Sequence, residues 1–181
     1  MTIPNILTVM RLLLVPVIIW AINADLLEMA FWIFIFAGIS DGVDGFIARH
    51  FNQMSELGTY LDPLADKALL VSIFIMLGLT GHLPNWLVIA VVSRDLLIVT
   101  AVILSWLLNR PVVVRPSIVS KANTLFQIIL AATVLGGQAF NLNIGDVSQL
   151  LIAVTGGLTL VSAAVYMIDW LRHMTRDVPS D

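Results

Sequence analysis

The sequence predicts an all-α integral membrane protein, one domain over residues 1–181 with six transmembrane helices in a bundle. Three observations carry that expectation. Of the 181 residues, 59% are hydrophobic and only 12% charged, against roughly a quarter charged in soluble domains; mean hydropathy is +0.98. The apolar residues fall in six runs, each close to the roughly 20 residues a span requires. The basic residues collect in alternate connections, as they do when a chain crosses a bilayer back and forth. Cysteine is absent, which excludes disulfides, thiolate zinc sites, Fe–S clusters and a cysteine nucleophile.

The first helix is expected from about Asn5 to Ile22. It follows Met1-Thr2-Ile3-Pro4 directly, so no cleavable signal with a basic leader is expected. The second runs from about Leu27 to Ala48, the third from about Leu57 to Leu79, and the fourth from about Pro84 to Leu108. The fifth starts near Ser117, after Pro111 and Pro116, and ends at Gly136-Gly137. The last covers about Val147 to Met174. Connections are short, and no internal repeat of the kind transporters carry is evident.

Arg49 follows the second helix, Arg110 and Arg115 follow the fourth, and Arg172 and Arg176 lie at the end. The loops at about 23–28, 80–83 and 137–146 hold no Lys or Arg, but do hold Asp25, Glu28 and Asp146. Both termini and the ends of the even-numbered helices are therefore expected in the cytoplasm, with the protein in the inner membrane. Arg110, Arg172 and Arg176 read as topology determinants and lipid-surface contacts. His50, His82 and His173 are scattered at helix ends, and no ligand role is expected of them.

Within this apolar chain, four aspartates sit in 26 positions. The run reads Asp41-x2-Asp44-Gly45-x2-Ala48-Arg49, then eight residues, then Gly58-x3-Asp62-x3-Asp66. Carboxylates three or four apart lie on one helix face. Two such pairs on consecutive antiparallel helices can converge, and four carboxylates that close need cations to share. Hard divalent cations prefer such oxygen ligands. At a membrane–water boundary, carboxylates with two divalent ions suit a phosphoanhydride whose other end is a lipid. Gly45 leaves room for a ligand against the backbone. Arg49 offers a forked cation for phosphate, Gly58 allows close helix approach, and Asp66 can accept a proton from an acceptor hydroxyl.

This run resembles, at all eight fixed positions, the signature of the CDP-alcohol phosphatidyltransferases. The resemblance implies a six-helix fold, a homodimer, and Asp41, Asp44, Asp62 and Asp66 holding two Mg2+ or Mn2+ ions. It implies that Asp66 is the general base and that Gly45, Ala48, Arg49 and Gly58 shape the CDP site. The reaction would be attack of an acceptor hydroxyl on the lipid-side phosphorus of CDP-diacylglycerol, releasing CMP. Pro4-Asn5-x2-Thr8-x2-Arg11, Asp62-Pro63-Leu64-Ala65-Asp66-Lys67 and Ser93-Arg94-Asp95 resemble the branch that makes phosphatidylglycerophosphate and cardiolipin.

The acceptor is the finer question. Where the phosphatidylglycerophosphate synthases tend to carry Gly-Lys-x-Lys-Thr, this chain has Ser120-Lys121-Ala122-Asn123-Thr124, and Val102 stands where they often place an arginine. A dianionic acceptor such as glycerol-3-phosphate needs more basic groups than the hydroxyl of phosphatidylglycerol. Arg115-Pro116-Ser117-x2-Ser120-Lys121 resembles the CDP-alcohol type of cardiolipin synthase, and phosphatidylglycerol is the expected acceptor. Lys67, Arg94, Arg115 and Lys121 are candidates for acceptor or lipid phosphate. Each keeps a plainer reading: Lys67 as a neutraliser of the carboxylates, Arg94 with Asp95 as a structural intramembrane pair, and Lys121 as a topology signal. Membrane lipids are expected partners and nucleic acid is not. A cation transporter is the rival class, but it would place its charges near the midplane of broken helices.

Overall fold

The computed structural model describes residues 3–50, 56–107 and 117–175, and these form six α-helices. They are α1 (Ile3–Asn23), α2 (Leu27–His50), α3 (Glu56–Leu79), α4 (Asn85–Leu107), α5 (Ile118–Ala139) and α6 (Gly145–Thr175). All six fall where the apolar runs place them. The one shift of note is at the end of α5, which continues past Gly136-Gly137 to Ala139. Glycine costs only about 1 kcal/mol in a helix interior, and here it is useful: Gly136 lies against the Phe31 ring of α2, and a Cβ there would come within 3.0 Å of it. By length and composition, α4, α5 and α6 contain stretches able to cross a membrane, at Asn85–Ser105, Ile118–Ala139 and Gly145–His173. Shorter apolar segments, Thr8–Asn23 and Leu27–Ser40, lie in α1 and α2.

Three described connections share one construction. Asp25 (φ 59°), Gly81 (φ 79°) and Asn141 (φ 50°) each adopt the left-handed conformation just past a helix end. At the first, Leu26 N–H donates to Ala21 C=O and Asp25 N–H to Ile22 C=O. The same pair of bonds joins His82 to Leu77 and Gly81 to Gly78, then Leu142 to Gly137 and Asn141 to Gln138. This motif satisfies carbonyls that a helix end otherwise leaves open, and it needs a residue tolerant of positive φ. Gly, Asn and Asp are the residues that tolerate it. All three loops border one cleft of about 770 Å³, lined in part by Asp25, His82 and Asn141, so they lie at the same end of the bundle.

Burial divides the bundle along its length. Near the loop end, Ile18, Ile22, Phe34, Ile73, Phe74, Leu77, Leu87, Val91, Leu130 and Leu135 form the apolar core. Towards the other end the buried residues turn polar: Thr8, Arg11, Arg94, Asp95, Ser120, Asn123 and Gln127. Helix α1 packs on both α2 and α3, α5 on α2 and α6, and α4 on α6, with lighter contact of α3 to α4 and α5. Among the described residues α1 and α5 each touch both α2 and α3. Outward-facing Leu96, Val99, Ile103 and Leu107 of α4 are more than half exposed, which suits a lipid surround.

The shared loop construction predicts opposite outcomes for two substitutions. Gly81→Ala should destabilise by about 1 kcal/mol or more, because alanine is strained at positive φ. Asn141→Gly should be neutral or slightly stabilising. Thermal unfolding of the purified protein in detergent checks both.

Candidate functional site

The carboxylate-bearing segments are helical, as their spacing requires. Asp41 and Asp44 lie on α2, and Asp62 and Asp66 on α3. The side chains of Asp41, Asp44, Arg49 and Asp62, and the surroundings of Gly45, Ala48 and Gly58, lie outside the described residues, as does Arg115 altogether. Asp66 is described. Its Oδ1 forms an ion pair with Arg11 Nη1 of α1, and the Arg11 side chain is only 3% exposed. Thr8, one turn before Arg11, is also buried. The likeness of Thr8-x2-Arg11 to one branch of the family was visible in the sequence, but its partner was not. A lone arginine in an apolar first helix was the available signal, since such a charge has to meet an opposite one.

A second set of charges is built around α4. Arg94 and Asp95 are adjacent, about 100° apart around the helix, so their side chains leave towards different neighbours. Arg94 is 2% exposed. Its Nε donates to Ser162 Oγ of α6 at 3.1 Å and its Nη2 to the same oxygen at 2.7 Å. Nη2 also donates to Ser120 Oγ of α5, and Nη1 to Asp95 Oδ1 at 2.7 Å. The Tyr166 ring of α6 lies 5.4 Å from the guanidinium carbon, within cation–π range. Asp95 Oδ1 accepts a second bond, from Lys67 Nζ of α3 at 2.6 Å. Arg94 and Asp95 are thus paired with each other, and one guanidinium ties α4, α5 and α6 together while its carboxylate partner reaches α3.

Lys67 is intermediate: its side chain is 43% exposed and its ammonium is held by Asp95. It follows Asp66 in sequence, so the two charge systems, Arg11–Asp66 and Lys67–Asp95–Arg94, meet on one turn of α3. Lys121 is exposed on the first turn of α5. That helix start is fixed by Ser117, whose side chain accepts from Ser120 N–H at 3.1 Å, the usual N-cap arrangement. Ser120 then points its hydroxyl to Arg94. Asp95, Ser120 and Ser162 were not singled out as a unit in the sequence, because serine in a membrane helix carries no sign of its partner.

Residues 1–168 match the sequence pattern described as CDP-alcohol phosphatidyltransferase. The chain belongs to that family. It is 35% identical to the CMP-forming cardiolipin synthase of Rattus norvegicus, over 91% of this chain and 60% of the rat protein. The CMP-forming cardiolipin synthase of Homo sapiens is 34% identical with the same coverage. A cardiolipin synthase (CMP-forming)/mitochondrial hydrolase fusion protein of Schizosaccharomyces pombe is 34% identical over 98% of this chain and 32% of its own length. The chain therefore spans 60% of the length of the mammalian relatives it matches.

Members of this family use divalent metal ions. The donor set fits such a group: four carboxylates at helical spacing, all hard oxygen donors, in a chain without cysteine. Among the described residues no cluster of three acidic or histidine side chains occurs, since three of those four side chains lie outside that set. Lys67 and Arg11 supply positive charge beside the acidic turn of α3, as phosphate binding also requires.

The tie at Arg94 predicts a stability phenotype. Arg94→Met should destabilise the folded protein by about 3 kcal/mol or more, because it leaves Asp95 buried with one cation fewer. The double change Arg94→Met with Asp95→Leu should cost less than the sum of the two single changes. Thermal unfolding of the three variants in one detergent measures it.

Proposed function

We propose that this protein is an enzyme that moves the phosphatidyl group of CDP-diacylglycerol to an alcohol acceptor, releasing CMP. The acceptor we infer is phosphatidylglycerol, and the product cardiolipin. The observation that carries the reading is the complete spacing from Asp41 to Asp66, in a chain of this family, with Asp66 held at a buried arginine. Asp41, Asp44, Asp62 and Asp66 would hold two divalent ions, Mg2+ or Mn2+, which when bound neutralise the diphosphate and the leaving phosphate.

The chain's own residues do the rest. Arg49, with Gly45, Ala48 and Gly58 leaving room beside the backbone, receives the CDP end. The acceptor hydroxyl oxygen forms a bond to the lipid-side phosphorus. The phosphoanhydride P–O bond breaks, and CMP leaves with its electron pair. The hydroxyl proton passes to Asp66, whose carboxylate Arg11 orients. Lys67, Arg115 and Lys121 meet the acceptor or lipid phosphates. Arg94 contributes by fixing Asp95, which in turn holds the Lys67 ammonium.

Two observations support the lipid acceptor. Asn123, standing where the glycerol-3-phosphate-using branch tends to carry a lysine, is wholly buried and accepts from Thr159 at 2.9 Å. A neutral amide there adds no cation for a dianion. The mammalian relatives are also named cardiolipin synthases. The reading includes six membrane spans in the inner membrane, with the polar end of the bundle towards the cytoplasm. Its support is that the loops ending α1, α3 and α5 lie together and hold no lysine or arginine. A homodimer completes the proposal, consistent with the exposed apolar surface of α4.

Purified protein in mixed micelles tests the reading directly. With CDP-diacylglycerol and Mg2+, phosphatidylglycerol should yield cardiolipin and CMP, and chelation should stop both. Formation of phosphatidylglycerophosphate from glycerol-3-phosphate instead would keep the chemistry and overturn the acceptor. Asp66→Asn should lower kcat by about 10²–10⁴-fold without loss of folded protein. Retained turnover in Asp62→Ala would sink the two-ion assignment.

A further inference from the structure

The Arg94 tie is the first rung of a longer polar ladder between α5 and α6. Ser120 and Ser162 face each other across the guanidinium. One turn further in, Thr159 Oγ1 donates to Asn123 Oδ1 at 2.9 Å. The two helices run antiparallel, so one more turn in opposite directions brings Gln127 level with Thr155. All the residues of the two deeper rungs are buried at 0–1% exposure.

The rungs differ in how far they are satisfied. The first is saturated by Arg94. In the second, Asn123 Nδ2 has no partner among the described residues. In the third, neither Gln127 Nε2, nor Gln127 Oε1, nor Thr155 Oγ1 has one. A side-chain amide or hydroxyl withdrawn from water and left unbonded is costly, and such groups nearly always find a partner. Four such atoms within one turn, all buried between α5 and α6, are the kind of set that holds a small polar ligand.

The chemistry of those atoms limits what it is. Two amide N–H2 groups donate, one amide oxygen accepts, and a hydroxyl does both. No charged side chain belongs to this set, and the guanidinium above it already has its anion in Asp95. The ligand must be small, neutral, and both donor and acceptor. We propose that the space between Asn123, Gln127 and Thr155 is a binding site for a small neutral hydroxyl ligand, either ordered water or a hydroxyl of the acceptor head group. Buried water commonly makes about three bonds to such groups. The acceptor-hydroxyl source rests on the function proposed above, and the water source does not.

The test uses the full chain in detergent micelles and two near-isosteric changes, Thr155→Val and Gln127→Leu. Each removes polar atoms while keeping most of the side-chain volume. Thermal unfolding is read without substrate, and KM is read for phosphatidylglycerol and for CDP-diacylglycerol, each with the other substrate fixed. If water fills the site, each change lowers Tm by about 2–4 °C through the lost bridging bonds, with both KM values unchanged. If the acceptor hydroxyl fills it, KM for phosphatidylglycerol rises about fivefold, while KM for CDP-diacylglycerol and Tm hold. Either shift, or both, supports the site. Unchanged or raised Tm together with unaltered KM overturns it, because an empty polar pocket should gain from apolar replacement. Should the unaltered chain turn over no acceptor, the proposed activity fails, and the unfolding measurement decides the water site alone.

Discussion

A buried charge has to be answered by the protein itself, and among the described residues the Arg94 guanidinium gathers the most side-chain partners. Among packed membrane helices bulk water is absent, so a buried polar group is completed by the protein or by a molecule held between the helices. Arg94 therefore draws Ser162 and Tyr166 of α6, Ser120 of α5 and its neighbour Asp95 into one unit. Asp95 passes the constraint on to Lys67 of α3. Bonds of this kind are directional as well as strong, so they fix how the helices are rotated, which apolar packing between leucines and isoleucines leaves loosely defined. The acidic turn of α3 inherits its position from that frame on one side and from Arg11 on the other.

The lengthwise division of the bundle follows from the same requirement. One end is closed by an apolar core and three tight turns of identical hydrogen-bond pattern. The other end gathers the buried polar side chains. The proposed handling of a charged head group whose acyl chains stay in lipid would benefit from this split. The apolar half supplies the stiffness, and the polar half can be devoted to binding.

Much of this was legible in the sequence, and the rest was not for definite reasons. The six helices were, because an apolar run of span length in a chain this poor in charge has few other fates. The helical setting of the four aspartates was, because three- and four-residue spacing is the spacing of one helix face. Pairings were not. Arg11 with Asp66 joins residues 55 apart in sequence, and Arg94 with Ser162 joins residues 68 apart. Helical periodicity gives a residue's face but not the helix opposite. Asn123 could be read as a missing lysine, yet only the packing of α5 on α6 reveals Thr159 as its neighbour. The end of α5 was placed short because paired glycines read as a stop, whereas here one of them seats a phenylalanine ring.

The order of these partners along the chain bears on how the protein enters the membrane. Arg11 is made before Asp66, so the guanidinium in α1 is already waiting when the acidic turn of α3 arrives. Lys67 then meets Asp95 as α4 follows, and Arg94 collects Ser120 and finally Ser162 from α5 and α6. Each of these described ion pairs thus joins a residue to one made later or beside it, and Arg11 waits through α2 until α3 supplies Asp66. The final described helix, α6, closes the frame by bringing Ser162 to Arg94.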